Sequence, residues 1–133
     1  MRNSFNLNIL TPDKVFYKGE VKELITENVY GDIEILNNHI AIITLLKPNL
    51  TKFIDLNGKE YKAFVSTGIL KVRDNEMNIL CDACEWPNEI DFQRAEASRS
   101  RAAERLKLKD GVDISRAEVA LLRSLTRLKI KGI

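Results

Sequence analysis

Two segments near the end of the chain repeat the same residue types at an offset of 22 positions. They are Ile90-Asp91-Phe92-Gln93-Arg94-Ala95-Glu96 and Val112-Asp113-Ile114-Ser115-Arg116-Ala117-Glu118. An aspartate at the start of a helix accepts hydrogen bonds from backbone amides that have no partner, and it favours the positive end of the helix dipole. Helix capping alone therefore accounts for Asp91 and Asp113.

Capping does not account for the arginines that continue the repeat. Arg101 and Arg105 match Arg123 and Arg127, and each pair places two like charges four residues apart. Such a pair costs roughly 0.2–0.5 kcal/mol in an isolated helix. Two explanations stay open: a solvated helix face tolerates this cost, or an anion supplies the counter-charge, either a phosphate or the acidic surface of a partner.

The chain has few other residues that could act in catalysis or bind a metal. His39 is the only histidine, which excludes a catalytic triad and a multi-histidine metal site and favours a structural hydrogen bond. Cys81 and Cys84 form one Cys-x-x-Cys that ends a strand and does not open a helix, so the pattern favours inert thiols over redox chemistry. Glu85 fits either a rim charge or a ligand contact. We expect no catalytic residue and no metal site.

Composition indicates an ordinary globular chain of 133 residues with a net charge of +2. The charge is divided unevenly: residues 1–89 hold 10 basic and 13 acidic side chains, whereas residues 90–133 hold 11 and 6, a net of +5. The basic second part leaves a nucleic-acid-binding module as an alternative, although the acidic first part lacks interleaved aromatics. A sugar-binding or hydrolytic sandwich would need converging carboxylates, which the pattern does not offer.

The first part alternates apolar and polar residues, as half-buried strands do. We predict a small β-sandwich or flattened barrel, with turns at Asn57-Gly58 and, more weakly, at Thr11-Pro12-Asp13, Lys18-Gly19 and Asp74-Asn75. The predicted strands are 5–9, 21–26, 40–46, 50–56, 60–65, 69–73 and 77–80.

After Trp86-Pro87-Asn88 the apolar period becomes helical. No glycine or proline occurs from Asn88 to Asp110, and a second helix is predicted from about Asp113. Its aliphatic stripe consists of Ile114, Ala117, Leu121, Leu125 and Leu128. The short connection makes the helices antiparallel neighbours. We therefore predict a β-sandwich domain at 1–87 and an α-helical hairpin at 88–133.

The order of these parts resembles the epsilon subunit of the F-type ATP synthase, of the bacterial type with a C-terminal helical hairpin, and the resemblance covers the whole chain. It is carried by Phe5-Asn6-Leu7-Asn8-Ile9-Leu10-Thr11-Pro12, by Tyr17-Lys18-Gly19-Glu20-Val21, by residues 31–44 and by Ser66-Thr67-Gly68-Ile69-Leu70-Lys71-Val72 with Met77-Asn78-Ile79-Leu80. The chain departs from the family pattern at Glu34, at Asn37-Asn38 and near Cys84. The first two put the shape of the 31–44 segment in doubt.

The resemblance implies a non-catalytic part of the rotor. The sandwich would bind the gamma subunit and the polar loops of the membrane ring of c subunits, coupling ion-driven rotation to ATP synthesis by the alpha and beta subunits. On this mapping Gly31, Asp32, Ile33, Asn38 and His39 lie in a loop that faces the ring. The resemblance implies a peripheral location on the cytoplasmic face of a bacterial plasma membrane. No apolar run reaches the ~20 residues of a membrane span, so we expect any membrane association to go through a partner.

The resemblance also implies that the hairpin is a regulator. Extended beside gamma, it would block ATP hydrolysis; folded, it would be permissive and would be held by ATP together with Mg²⁺. The resemblance implies that no cofactor is required and that ATP would act only as a regulatory ligand. The residues that match the family's ATP positions are Glu85, Ile90, Asp91, Arg94, Ala95, Arg101, Arg123 and Arg127.

Overall fold

The computed structural model describes residues 4–36, 41–108, 111 and 113–130. The chain divides into two compact units, Met1–Trp86 and Pro87–Ile133. In the described residues the first unit is built of β-strands and the second of two α-helices with a short 3₁₀ turn. The predicted fold class, a β-domain followed by a helical hairpin, is confirmed.

The first unit contains nine strands within the described residues. They are β1 Phe5–Leu10, β2 Val15–Asn28, β3 Gly31–Leu36, β4 Ile42–Leu46, β5 Asn49–Asp55, β6 Glu60–Val65, β7 Gly68–Arg73, β8 Glu76–Cys81 and β9 Cys84–Glu85. All pairings are antiparallel except that of β1 with β8.

The long strand β2 holds the sheet together. Its first half pairs with β1, and its second half pairs with β5 on one side and β3 on the other. Around it the sheet runs in the order β1-β8-β7-β4-β2-β5-β6-β9. Alternate residues of these strands point inward and form one hydrophobic core, which includes Leu7, Leu24, Ile35, Phe53 and Ile79. Such a core is close-packed, so the unit is a stiff body.

Two sequence predictions in this unit are wrong. The segment expected to be a loop facing the ring begins with strand β3, because Ile33 and Ile35 alternate with polar residues and pack on the core. The weak turn expected at Lys18-Gly19 is instead the interior of β2, where Gly19 pairs with Leu7. A Cβ at Gly19 would lie 3.0 Å from the hydroxyl of Tyr17, so a close side chain explains this glycine better than a turn.

The second unit begins with a 3₁₀ turn at Pro87–Glu89, followed by α1 Phe92–Leu108 and α2 Ile114–Ile130, which pack against each other. Gly111, between the helices, has a φ of 70°, a left-handed conformation that glycine adopts without strain. The buried positions of α1 are Ala95 and Ala102.

The aliphatic stripe predicted on α2 is only partly covered. Ala117 is buried, but Ile114 and Leu125 keep 45% and 39% of their surface exposed. Ser124 is buried and donates its hydroxyl hydrogen to the Ala120 carbonyl at 2.9 Å. Small side chains therefore occupy several of the buried positions, and some of the larger aliphatic ones stay accessible.

Candidate anion site and docking surface

The two aspartates of the repeat cap the two helices with the same geometry. Asp91 Oδ1 accepts a hydrogen bond from the Arg94 amide at 3.0 Å, and Asp113 Oδ1 accepts one from the Arg116 amide, also at 3.0 Å. Both carboxylates thus satisfy an amide of the first helical turn. The capping interpretation is sufficient to explain why aspartate stands at both positions.

The arginines of the repeat form one stripe on each helix. This arginine ladder consists of Arg94, Arg101 and Arg105 on α1 and Arg116, Arg123 and Arg127 on α2. Within each helix the spacing of seven and then four residues returns to the same face. Arg94, Arg101, Arg105 and Arg116 are exposed, whereas Arg123 and Arg127 are half-buried.

The two stripes meet at the turn of the hairpin. A cavity of about 330 Å³ there is lined by Arg105 from the end of α1, by Gly111, and by Asp113, Arg116 and Ala117 from the start of α2. Arg105 and Arg116 are not among the predicted ATP ligands. The repeat itself contains the signal that could have found them, since Arg116 matches Arg94 and Arg105 matches Arg127 at the offset of 22.

Neutralisation by neighbouring acids is unequal along α1. Arg99 pairs with Glu96, and Lys107 lies 3.8 Å from Glu104. The hydrogen bond from Arg99 lowers the pKa of Glu96. In contrast, Arg101 donates to the Ser98 hydroxyl at 3.1 Å and, within the described part of the chain, forms no ion pair with an acidic side chain.

Three other ladder arginines, Arg94, Arg105 and Arg116, also form no ion pair with an acidic side chain among the described residues. Among the described residues, none of them lies within 4.0 Å of a carboxylate oxygen. These four arginines are therefore cations with capacity for an external anion, the kind of group that guanidinium binds through paired hydrogen bonds.

The remaining predicted ATP residues differ in character. Ile90 and Ala95 are 7% and 3% exposed, so they contribute packing and not polar contacts. Glu85 is half-buried, lies in β9 opposite Phe64, and belongs to the first unit. Of the predicted set, Asp91 and Arg94 are joined by a hydrogen bond from the Arg94 amide. The helix period places Arg94 and Arg101 on one face of α1, and Arg123 and Arg127 on one face of α2.

Three of the residues predicted to contact the ring lie at the start of β3. Gly31 opens β3, Asp32 is exposed beside Glu27, and Ile33 is half-buried against the core. The predicted residues Asn38 and His39 lie outside the described residues.

The turn between β2 and β3 contains two exposed residues that were not predicted. Tyr30 is 93% exposed and Val29 is 62% exposed. The Tyr30 amide donates to Asn28 Oδ1 at 2.8 Å, which fixes the turn.

An apolar row crosses five strands on the outer face of the sandwich. Direct pairing places Leu45 beside Ile69, Ile69 beside Leu80, Leu80 beside Leu10, and Leu10 beside Val15. Leu45, Val15 and Leu80 are 62%, 58% and 40% exposed. Side chains of directly paired residues lie on the same face, so the five form a continuous stripe. Contiguous exposed apolar surface of this kind marks a site of protein association.

The first unit also has a shallow cavity of about 500 Å³ beside this row. It is lined by Ala41, Ile42, Ile43, Lys71, Val72 and Arg73. Ile43 is 75% exposed and is separated from Leu45 by one residue of β4. The row and the cavity together give β4 an uncovered outer edge with apolar and basic character.

A stiff β-sandwich with an uncovered apolar row, followed by a helical hairpin with an arginine ladder, defines a two-part protein built for binding. Residues 4–87 match the family model described as the ATP synthase delta/epsilon chain β-sandwich domain, and residues 88–132 match the model of the long α-helix domain of the same chains. The chain belongs to the ATP synthase delta/epsilon chain family. The sequence-based identification is confirmed.

Relatives and solved structures agree with this assignment. The chain is 53% identical to an ATP synthase epsilon chain of Clostridium kluyveri over 84% of its own length and 85% of the relative's. It is also 53% identical to an ATP synthase epsilon chain of Clostridium botulinum over 82% of each chain. A chain in the Euglena gracilis mitochondrial ATP synthase has the same fold, with a TM-score of 0.86 at 18% identity, covering 100% of this chain and 84% of that one.

Two further observations concern the described residues alone. No cluster of three or more histidine, cysteine, aspartate or glutamate side chains suited to a metal ion occurs among them. Neither α1 nor α2 has the length and apolar character of a membrane-spanning helix.

Proposed function

We propose that this chain is a non-catalytic central-stalk subunit that couples rotation of the c-ring to ATP synthesis, and that its hairpin regulates ATP hydrolysis. The observation that carries the proposal is the pair of family matches, which together span residues 4–132 and divide at the boundary between the two units. The subunit would be peripheral on the cytoplasmic face of a bacterial plasma membrane.

The apolar row supports the part of the proposal that concerns gamma. Burying apolar surface that is now exposed stabilises an association, and Leu45, Val15 and Leu80 still have 62%, 58% and 40% of their surface to bury. The row therefore contributes to an interface with gamma, and other contacts are needed to offset the costs of association. A stiff sandwich is also what torque transmission needs, since a soft body would yield before it transmits force. The exposed turn at Val29 and Tyr30, with Asp32 and the predicted Asn38 and His39, is the end that we assign to the ring.

The hairpin suits a regulator that binds the alpha and beta subunits. The net charge of +5 over residues 90–133 favours acidic surfaces, and electrostatic complementarity speeds encounter and selects the partner. Leu122 and Leu125 are 37% and 39% exposed and add apolar surface for a second binding position. We infer that the extended hairpin blocks hydrolysis in the catalytic head.

We further infer that ATP favours the folded hairpin. The arginine ladder would hold the phosphates, Asp91 and Glu85 would accept hydrogen bonds from the ribose or adenine, and Mg²⁺ would accompany the nucleotide. A ligand present at 100–1,000 times its dissociation constant shifts such an equilibrium by roughly 2.7–4.1 kcal/mol. This is comparable to the net free energy expected for docking one small hairpin.

Binding to purified gamma subunit tests the first part. We expect a one-to-one complex by analytical ultracentrifugation, with a dissociation constant that changes little between 50 and 300 mM salt because an apolar interface is weakly screened. The absence of a complex at micromolar concentrations would contradict the proposal.

Equilibrium dialysis with millimolar ATP tests the second part. Arg123→Ala and Arg127→Ala should each weaken ATP binding, whereas Arg99→Ala is a matched control because Arg99 is outside the arginine ladder and pairs with Glu96. No uptake of ATP by the unaltered chain would remove the sensing role and leave the stalk role standing. Equal affinity in all three variants would remove Arg123 and Arg127 from the site.

A further inference from the structure

Cys81 and Cys84 lie at a corner of the sandwich where the chain bends but stays paired. Cys81 pairs with Gly68 and Cys84 with Val65. Between them the Asp82 amide donates to the Thr67 carbonyl at 3.1 Å, and the Ser66 amide donates to the Ala83 carbonyl at 3.0 Å. In a straight strand, residues three apart are separated by about 10 Å and point to opposite faces. The bend at Asp82 turns both thiols into the core.

The two thiols belong to the same buried cluster. Each cysteine is 6% exposed, both are free, and their side chains share a hydrogen bond. Cys81 Sγ also lies 3.7 Å from the Leu10 carbonyl oxygen. A Cβ on Gly68 would lie 2.9 Å from the Cβ of Cys81, so the missing side chain of Gly68 makes room for Cys81 in this position.

The shared hydrogen bond makes the thiols unequal. Donation from Cys84 lowers the pKa of Cys81, while the same bond and burial raise the pKa of Cys84. Burial and Asp82 both act against this lowering and oppose ionisation of Cys81. Near Cys84, Glu85 opposes ionisation and Lys14 favours it. A thiol with a lowered pKa attacks a disulfide, and a second thiol beside it resolves the product. The sequence favoured inert thiols because it offered no helix N-terminus, but here a neighbouring thiol provides the activation.

We propose that Cys81 and Cys84 form a reversible dithiol–disulfide site that exchanges with small-molecule disulfides. The Cys81 thiolate attacks one sulfur of the oxidant and expels one thiol, leaving a mixed disulfide on Cys81. Cys84 loses its proton to the medium and attacks the Cys81 sulfur, which expels the second thiol. Two protein thiols become one disulfide, and the oxidant is reduced to two thiols.

The site belongs to the strand that leads into the hairpin unit. β9 holds only Cys84 and Glu85 and is paired with β6 through two residues. A local opening of so short a strand would give an oxidant access to the thiols. The disulfide ties β9 to the end of β8 immediately before Pro87. In a reducing compartment the thiols stay reduced, and the bond forms under an oxidative load.

The test uses the full-length chain, reduced and then incubated with oxidised glutathione at pH 7.5 without denaturant. The protein is then denatured, alkylated and weighed by intact mass spectrometry. We expect loss of both free thiols, a mass two daltons lower, no retained glutathione, and full reversal by dithiothreitol. The emission of Trp86, the only tryptophan and two residues beyond Cys84, should fall on oxidation and recover on reduction.

Single variants separate the two roles. Cys84→Ser should accumulate glutathione on Cys81, because the resolving thiol is missing, and Cys81→Ser should slow modification of Cys84 by about tenfold or more. The proposal is overturned if both thiols of the unaltered folded chain remain alkylatable, if it retains a stable glutathione adduct, or if it forms only intermolecular disulfides. These outcomes are read on the unaltered chain and do not depend on how the variants fold.

Discussion

Asp91 and Asp113 occupy equivalent positions in the two helices, and this equivalence allows their roles to be separated. Each accepts a hydrogen bond of 3.0 Å from the amide three residues later. Only Asp91 is proposed to touch ATP. Asp113 is therefore an internal control for Asp91: both stabilise a helix by capping it, but only Asp91 is proposed to contribute to ATP affinity.

Replacing either aspartate with alanine should destabilise its helix by about 0.5–2 kcal/mol. Urea unfolding followed by circular dichroism measures this loss, and the two variants should agree closely. ATP affinity should fall for Asp91→Ala and stay unchanged for Asp113→Ala. Asp91→Asn keeps the cap and a hydrogen-bond acceptor but removes the charge, so a normal affinity in that variant would show that ATP binding does not need the charge of Asp91.

Glu23 gives the sandwich a pH-dependent stability. Burial raises the pKa of Glu23, and the hydrogen bond and charge repulsion from Glu34 add to the shift. An acid whose pKa is raised by folding costs stability once the unfolded chain ionises, and the cost vanishes below the unfolded pKa. Glu23→Gln should therefore stabilise the chain at pH 7, and the gain should disappear as the pH falls below 4.5, the ordinary value for glutamate.

Urea midpoints at pH 7 and pH 3.5 test this expectation. Glu34→Gln should give a gain of the same sign at pH 7, because it removes the same repulsion from the other side. A stabilisation that is equal at both pH values would show that the glutamate pair is not its source.

At the scale of the strands, the apolar row is the feature on which the proposed binding to gamma depends. Leu45→Asp puts a charge at its most exposed member and should weaken binding to gamma by about tenfold or more, because an unpaired charge would be buried at the interface. Since Leu45 is 62% exposed, the unfolding free energy should change by no more than about 0.5 kcal/mol. Titration calorimetry with purified gamma measures the affinity.

A matched control lies in the same unit. Leu56 is 46% exposed at the turn after β5 and is outside the row, so Leu56→Asp should leave the affinity for gamma unchanged. Equal losses from Leu45→Asp and Leu56→Asp would remove the row from the interface.

The strands show what the sequence can predict and where it stops. The strand predicted at 60–65 is found at those residues, and the turn at Asp74-Asn75 has the positive φ angles of 50° and 63° that its residue types permit. Strand β3 was missed because the resemblance indicated a loop and outweighed the alternation of Ile33 and Ile35.

Features that depend on the pairing of strands far apart in the chain could not be predicted from the sequence. The apolar row requires Leu10 to pair with Leu80, seventy residues away, and no local pattern specifies that register. The contact between Cys81 and Cys84 likewise depends on a bend that is fixed by pairing with residues 65–68. The capping aspartates were predictable because a cap is local to one helical turn.

At the scale of the whole molecule, the two units carry opposite charge, and this difference has a measurable consequence. The hairpin end has a net charge of +5 and residues 1–89 a net charge of −3. Screening shortens the reach of charges to about 8 Å at 0.15 M salt. Inhibition of ATP hydrolysis by this chain, measured on an alpha–beta–gamma complex, should weaken by about threefold or more between 50 and 300 mM salt. Inhibition that is constant across this range would contradict an electrostatic attachment of the hairpin.

Capture of the tagged full-length chain from native membranes, solubilised in mild detergent and analysed by mass spectrometry, tests the rotor assignment most directly. The account predicts that gamma, alpha, beta and c subunits are recovered together with the tagged chain, in the proportions of an assembled ATP synthase. It further predicts that Leu45→Asp reduces the recovery of all four, whereas Leu56→Asp does not. Recovery of the tagged chain without gamma would contradict the account.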